Sequence, residues 1–360
     1  MSIVCLPTFF VSCITQLSRS FDPRPRLAEL FFGLLFCSEK RRTAAAWFRA
    51  APIGDDYRQS YEAIASVGRR APSVAVDVLK IVDQTIEADD EGRLVFALDD
   101  TPTKRYGPHV EGAGVHHHPT PGPANQAYVY GHVWVTLARV IHHPLWGTIG
   151  LPVSANLYVR EKEVPNIPAD AEGKFRTKLD MAVAFINWLA IWMAAKGKPI
   201  GLLMDGAYAA TAVLRAAKKA GISVVSRLRH DAALWTVPDL SQRPKGKRGR
   251  KPIYGDRRIR FAKRAAASGG WVTEVVEVYG RLETKVYKTF LATWEPARGV
   301  IRVVLVKRED KGWVAFFTTN LEATAAEILG LVSDRASIEQ VFHDVKEIWG
   351  GSAAVAERAC

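Results

Sequence analysis

The chain has 360 residues, 48% of them hydrophobic, and its 49 lysines and arginines outnumber its 37 acids for a formal net charge of +12. That length buries a large core, and that charge suggests a polyanionic partner, most simply nucleic acid. No apolar run reaches the roughly 18 residues of a membrane span, and Cys5, Cys13, Cys37 and Cys360 form no C-x-x-C pair and no zinc spacing with histidine, so a membrane protein and a zinc module are excluded.

The four cysteines read as reduced thiols. Ile3 to Thr15 is apolar but lacks a basic n-region, so it is not read as a signal peptide. A soluble, cytoplasmic, nucleoid-associated protein is expected.

Residues 1–20 carry no clear signal. From Arg26 to about Val82 the pattern is helical, with Leu27, Leu30, Phe31, Leu34 and Leu35 on the helix period. Ala44–Arg49 and Tyr57–Val67 read as further short helices, separated near Pro52-Ile53-Gly54. Basic residues cluster at Lys40-Arg41-Arg42 and Arg69-Arg70. Residues 1–90 are therefore an N-terminal helical region. Whether it is a DNA-binding module or a cap on the main domain stays open, because no helix-turn-helix signature is clean.

At Arg93 the pattern changes. Arg93–Leu98 is a short buried strand that ends in Asp99-Asp100. Tyr128–Val140 is aromatic and β-branched, as strands are, and Leu145–Tyr158 holds two more strand-like pieces. Tyr106–Gln126 is rich in Gly, Pro and His and reads as a loop. Phe175–Ala195 is helical. Ile200–Met204 is a strand ending in Asp205. Ala207–Ala220 is a helix stopped by Gly221, and Ile222–Leu228 is another strand. Strands and helices in this order predict an RNase H-like α/β fold: a mixed sheet flanked by helices. Residues 91–228 form the first part of that core.

Residues 229–310 interrupt it. Arg243 to Arg264 is strongly basic, with Lys245, Lys247, Arg248, Arg250 and Lys251 among glycines and prolines, so an extended loop that grips DNA phosphates is expected there. Trp271–Tyr279, Lys285–Ala292 and Val300–Val306 read as strands of an inserted β-rich subdomain. Trp313–Thr318 returns to the core, which closes with a last helix in residues 311–350. Residues 351–360 read as a frayed tail.

On that last helix Ile338, Phe342 and Val345 form an apolar stripe, and Arg335, Glu339, His343 and Lys346 form a polar stripe beside it. Two strand-end acids and Glu339 make three carboxylates that need a cation or hydrogen-bond partners, and hard divalent ions want such oxygen ligands. Histidines 116–118 read as an exposed loop, His343 as helix surface, and Trp146 and Trp271 as core.

The last helix resembles that of the DDE transposases of bacterial insertion sequences, in the group with a large β insertion before the glutamate. That group carries tyrosine, two residues, arginine, three residues, glutamate, six residues, lysine. Arg335, Glu339 and Lys346 match at those spacings, and Val332 stands where the tyrosine would be. The resemblance covers about residues 93–350. It implies a magnesium-dependent polynucleotidyl transferase that binds two Mg2+ or Mn2+ ions. Asp205 and Glu339 would be the second and third ligands, and the first would be Asp99 or Asp100. Hydrophobic register favours Asp100, whereas a D-x-T reading favours Asp99. Arg335 and Lys346 would grip phosphates of the transposon end. The partners implied are double-stranded DNA, as terminal inverted repeats and target, and a second copy of the chain on that DNA. The missing tyrosine and the short stretch after Glu339 leave a truncated, non-catalytic DNA-end-binding remnant, or another RNase H-like nuclease, as the alternative.

Overall fold

A computed structural model describes residues 8–19, 26–37, 43–51, 57–85, 92–107, 109–117, 127–167, 174–193, 197–242, 248–310 and 312–349. The centre of the fold is the strand β1 (Leu94–Lys104). A short strand β2 (Gly114–His117) lies within the expected loop, and it is followed by β3 (Tyr128–His143) and β4 (Gly147–Tyr158). After these come β5 (Ile200–Met204) and β6 (Ser223–Leu228). The core order is β4-β3-β1-β5-β6. β1, β3 and β4 are antiparallel neighbours, and β5 runs parallel to both β1 and β6. This is the RNase H-like arrangement that the element order predicted.

Two details differ from the sequence reading. The β4 segment is one strand rather than two pieces, and a register shift at Leu137/Ala138 of β3 absorbs the irregularity. β1 does not end at Asp99-Asp100. It runs on because β3 keeps pairing with it as far as Lys104 opposite Gly131.

The remaining strands are β7 (Leu234–Trp235), β8 (Arg258–Ile259), β9 (Val272–Val278), β10 (Arg281–Trp294), β11 (Gly299–Lys307) and β12 (Trp313–Thr318). β12 pairs antiparallel with β6, and β11, β10 and β9 follow in turn. The insertion strands thus prolong the core sheet from its β6 edge.

The N-terminal helices are α1 (Thr8–Arg19), in a stretch without a clear pattern in its residues, then α2 (Arg26–Phe36), α3 (Ala44–Ala50), α4 (Tyr57–Arg69) and α5 (Ala71–Thr85). Leu30, Ala44, Phe48 and Ala63 form a small cluster of their own, whereas Ala75 and Leu79 of α5 join the main core. Further on are α6 (Lys178–Met193), α7 (Thr211–Ala220), the short α8 (Phe261–Ala266), α9 (Ala325–Asp334) and α10 (Ser337–His343). Gly221 closes α7 with φ of 70°, a backbone angle that suits glycine. α8 begins within the expected basic loop and runs two residues past its end. Buried Lys288 pins it by donating to the carbonyls of Arg264 (2.9 Å) and Ala267 (2.6 Å).

The sheet has two covered faces. Leu94, Phe96 and Leu98 of β1 pack with Ala182, Ile186 and Leu189 of α6 and with Val213 and Leu214 of α7. Val95 and Ala97 pack on the other face with Ile328 and Leu331 of α9 and Ile338 of α10. α9 starts with a capping box, in which the Thr324 hydroxyl accepts from the Glu327 N–H and the Glu327 carboxylate accepts from the Thr324 N–H. Glu327 also meets Arg93 at 3.3 Å, tying the first turn of α9 to the start of β1. At the other end, buried Asp334 accepts from Thr148 Oγ1 (3.0 Å) and pairs with His142 Nε2 (3.0 Å). The expected single helix is therefore two helices joined at Arg335-Ala336, followed by a π-helical turn over Asp344–Ile348.

α10 lies close on β4. A Cβ at Gly150 would sit 2.9 Å from the carbonyl oxygen of Ser337 and 3.1 Å from Val341. Gly150→Val should lift α10 and cost about 1–3 kcal/mol in urea unfolding, and an unchanged midpoint would contradict this seating.

Candidate active site

Strand alternation sends neighbouring side chains to opposite faces. Asp99 continues the Val95–Ala97 face, under α9 and α10, and Asp100 continues the Phe96–Leu98 face, under α6. Their partners follow. Arg335 Nη1 donates to Asp99 Oδ2 at 2.7 Å, and its Nη2 donates to Glu339 Oε1 at 2.9 Å. Asp100 pairs with Lys178 Nζ at 2.6 Å and accepts from the Tyr208 hydroxyl at 2.7 Å.

Asp205 follows β5. In the parallel ladder Ala97 lies opposite Leu203, so two residues further on Asp99 and Asp205 are neighbours on one face. The Asp205 carboxylate accepts from the Ala207 N–H at 3.1 Å and caps the turn Gly206–Tyr208. Asp205, Arg335 and Glu339 line one cavity of 290 Å³ with Leu203, Ser226 and Arg227. Arg227, Tyr279, Val314, Phe316 and Val332 also line a larger groove of 960 Å³, whose walls carry Lys285, Lys307 and Arg308.

The charges are unevenly compensated. Burial pushes the Asp99 carboxyl up to about 6, although Arg335 and the Asp100 N–H pull it down, and the Asp100 and Asp205 charges add to the rise. Burial and Asp100 also push the Tyr208 phenol far above its usual value, so it stays protonated and donates. Lys346 is lowered by burial and donates to Thr101 Oγ1, two residues along β1 from Asp99.

Among the described residues no three His, Cys, Asp or Glu side chains stand close enough together to hold one ion. The donors nonetheless fit a hard divalent cation. Asp99, Asp205 and Glu339 offer oxygens only, Asp205 and Glu339 line one cavity, and a single guanidinium is shared between Asp99 and Glu339.

The other expected residues fall in several places. Arg248, Arg250 and Lys251 are exposed, and Lys245 and Lys247 lie outside the described residues. His343 is exposed, as expected, and contacts Asp344. His116 packs edge-on to Tyr158 and His117 to Tyr128, and His118 is not among the described residues. Trp146 was expected in the core but is 71% exposed and stacks on His143, whereas Trp271 packs against the core under Lys288. The sequence reading missed Lys178, Tyr208 and the His142–Asp334 pair. Tyr208 had a signal, three residues after Asp205 on the same turn. Lys178 and His142 had none.

The sequence matches the family model described as DDE superfamily endonuclease over residues 14–288, a span that holds Asp99, Asp100 and Asp205 and ends before Glu339. Comparison with curated proteins gives no match. Among solved structures, the chain is similar to one in a cryo-EM structure of a piggyBac transposase synaptic complex with hairpin DNA, with TM-score 0.40 and 9% identity. That similarity covers 96% of this chain and 62% of the other, so the chain spans less than two thirds of that protein's length. No helix among the described residues is long and apolar enough to cross a membrane.

The raised Asp99 carboxyl has a consequence for stability. Its folded value of about 6 lies above the ordinary 3.8, so the folded state binds the proton more readily. Stability in chelator should therefore fall as pH rises through that window, by on the order of 1 kcal/mol between about pH 5 and pH 7. Asp99→Asn should flatten the slope in urea unfolding at each pH, and parallel profiles for the two proteins would contradict the assignment.

Proposed function

The chain belongs to the DDE superfamily endonucleases, and from that membership we propose that it is a transposase acting on the DNA ends of an insertion sequence. It cleaves the phosphodiester at a terminal inverted repeat and joins the freed 3′-hydroxyl to target DNA. One observation carries this reading: Asp205 and Glu339 line a single cavity, and Asp99, on the same face of the sheet, is joined to Glu339 through Arg335.

Asp99, Asp205 and Glu339 are the residues that would hold Mg2+ or Mn2+. Bound there, a pair of divalent ions supplies activation of the attacking oxygen and stabilisation of the leaving one. Asp99 is preferred to Asp100 because Asp100 is engaged on the other face by Lys178 and Tyr208. Arg335 and Lys346, both bonded to β1, would meet the phosphates beside the scissile bond. Arg227 and Lys307 would carry the DNA backbone along the adjoining groove, where Lys285 is paired with Glu283 and Arg308 with Asp310. The exposed Arg248, Arg250 and Lys251 add non-specific grip. Two ends are brought together in transposition, so a dimer on DNA is the working assembly.

The test is strand cleavage of a fragment carrying the element's own terminal repeats, in magnesium or manganese. Asp99→Asn, Asp205→Ala and Glu339→Gln should each lower cleavage by about a thousandfold or more, and Asp100→Asn by no more than about tenfold. Full activity in Asp205→Ala would end the proposal, and loss confined to Asp100→Asn would exchange the roles of the two neighbouring acids.

A further inference from the structure

The ion-binding reading above leaves a question of occupancy. Asp99 Oδ1 accepts from the Asp100 N–H at 2.8 Å, and Asp99 Oδ2 accepts from Arg335 at 2.7 Å. Both oxygens of that carboxylate are therefore in use. The second arm of the same guanidinium holds Glu339 Oε1 at 2.9 Å. One planar fork thus spans two of the acids that would be ligands. An ion shared by Asp99 and Glu339 would sit where the guanidinium now holds one oxygen of each, and two cations cannot both occupy that space. The arginine side chain is 25% exposed and Glu339 is 61% exposed, so the fork has a way out toward solvent and the cavity.

We propose that Arg335 is the resident counter-cation of this acid cluster, and that a divalent ion enters by exchange for it and frees the guanidinium for a phosphate. The inference rests on the metal-site reading. It adds an order of events: the arginine is withheld from DNA while it neutralises the acids, and the incoming ion releases it. Ion binding and phosphate binding then strengthen one another, as linkage requires. The competing arrangement is a fixed arginine that orients Asp99 and Glu339 for the ion. The two differ in sign. Removing a competitor tightens ion binding, and removing an orienting group weakens it.

The experiment is a Mn2+ titration of the full chain, followed by calorimetry and by the paramagnetic signal of free Mn2+, with thermal melting alongside. Arg335→Gln should bind Mn2+ roughly three- to tenfold more tightly than the unaltered protein, the range expected from losing two partly exposed ion pairs. Without metal it should melt lower, and Mn2+ should raise its melting temperature by more. Arg335→Lys keeps the charge but not the fork, so it should fall between the two. It also serves if Arg335→Gln does not fold: Arg335→Lys binding no tighter than the unaltered protein would overturn the exchange. Equal or weaker Mn2+ binding by a folded Arg335→Gln would overturn it as well. Asp205→Asn separates the two levels. Undiminished Mn2+ binding in that variant contradicts the metal site itself, whereas lost binding there with weaker binding in Arg335→Gln contradicts only the exchange.

Discussion

One ionic bridge holds the functional face together. Arg335 joins Asp99 on the central strand to Glu339 on α10, across 236 positions of chain in the first case and a single helical turn in the second. A buried carboxylate without a cation is costly, and burial already pushes the Asp99 carboxyl up, with Asp100 and Asp205 adding to the rise. The fork reaches both acids at once, above an α10 that packs on β4 at Gly150. Lys346 on Thr101 makes a second attachment to the same strand, and Ile338 makes an apolar one beneath them. Neither replaces the bridge, since neither neutralises the acids.

Glu339 reaches this face through the way the sheet grows. The chain leaves the core after β6, passes through β7 to β11, and returns as β12 directly beside β6. A detour that ends next to where it began restores the register of the fold. α9 then crosses the face it would have reached without the insertion. Its position is fixed at both ends, by Glu327 on Arg93 and by Asp334 on Thr148 and His142. The insertion contributes more than length. The turn between β9 and β10 brings Tyr279 to the wall of the acid cavity, and β10 and β11 supply Lys285 and Lys307 to the groove.

Much of this was legible in the residues. Apolar periodicity located the core strands and α6, and Gly221 marked the end of α7. The spacing of Arg335, Glu339 and Lys346 told which residues share a helix face. Three things were not legible, each for a physical reason. The extent of β1 depends on continued pairing with β3, which no local pattern of Asp99-Asp100-Thr101-Pro102 announces. The break at Arg335-Ala336 falls beside Asp334, whose bonds to Thr148 and His142 are tertiary and leave no local mark in the residues. The partner of each acid depends on which helix covers which face. Both faces of β1 are apolar, so alternation alone separates Asp99 from Asp100 without saying which one meets Glu339.

The doublet makes sense once both faces are occupied. Asp99 faces the helix that carries Glu339. Asp100 accepts from Tyr208, and Tyr208 closes the turn that Asp205 caps through the Ala207 N–H. That turn is therefore held twice, by Asp205 capping it through the Ala207 N–H and by Asp100 at its last residue. Lys178, at the start of α6, neutralises Asp100 without drawing on Arg335. Two adjacent acids of one strand thus tie down different elements: Asp99 shares Arg335 with Glu339 of α10, and Asp100 braces the turn that Asp205 caps. A strand is the element that permits this division, because only alternation puts consecutive carboxylates into separate environments with separate cations.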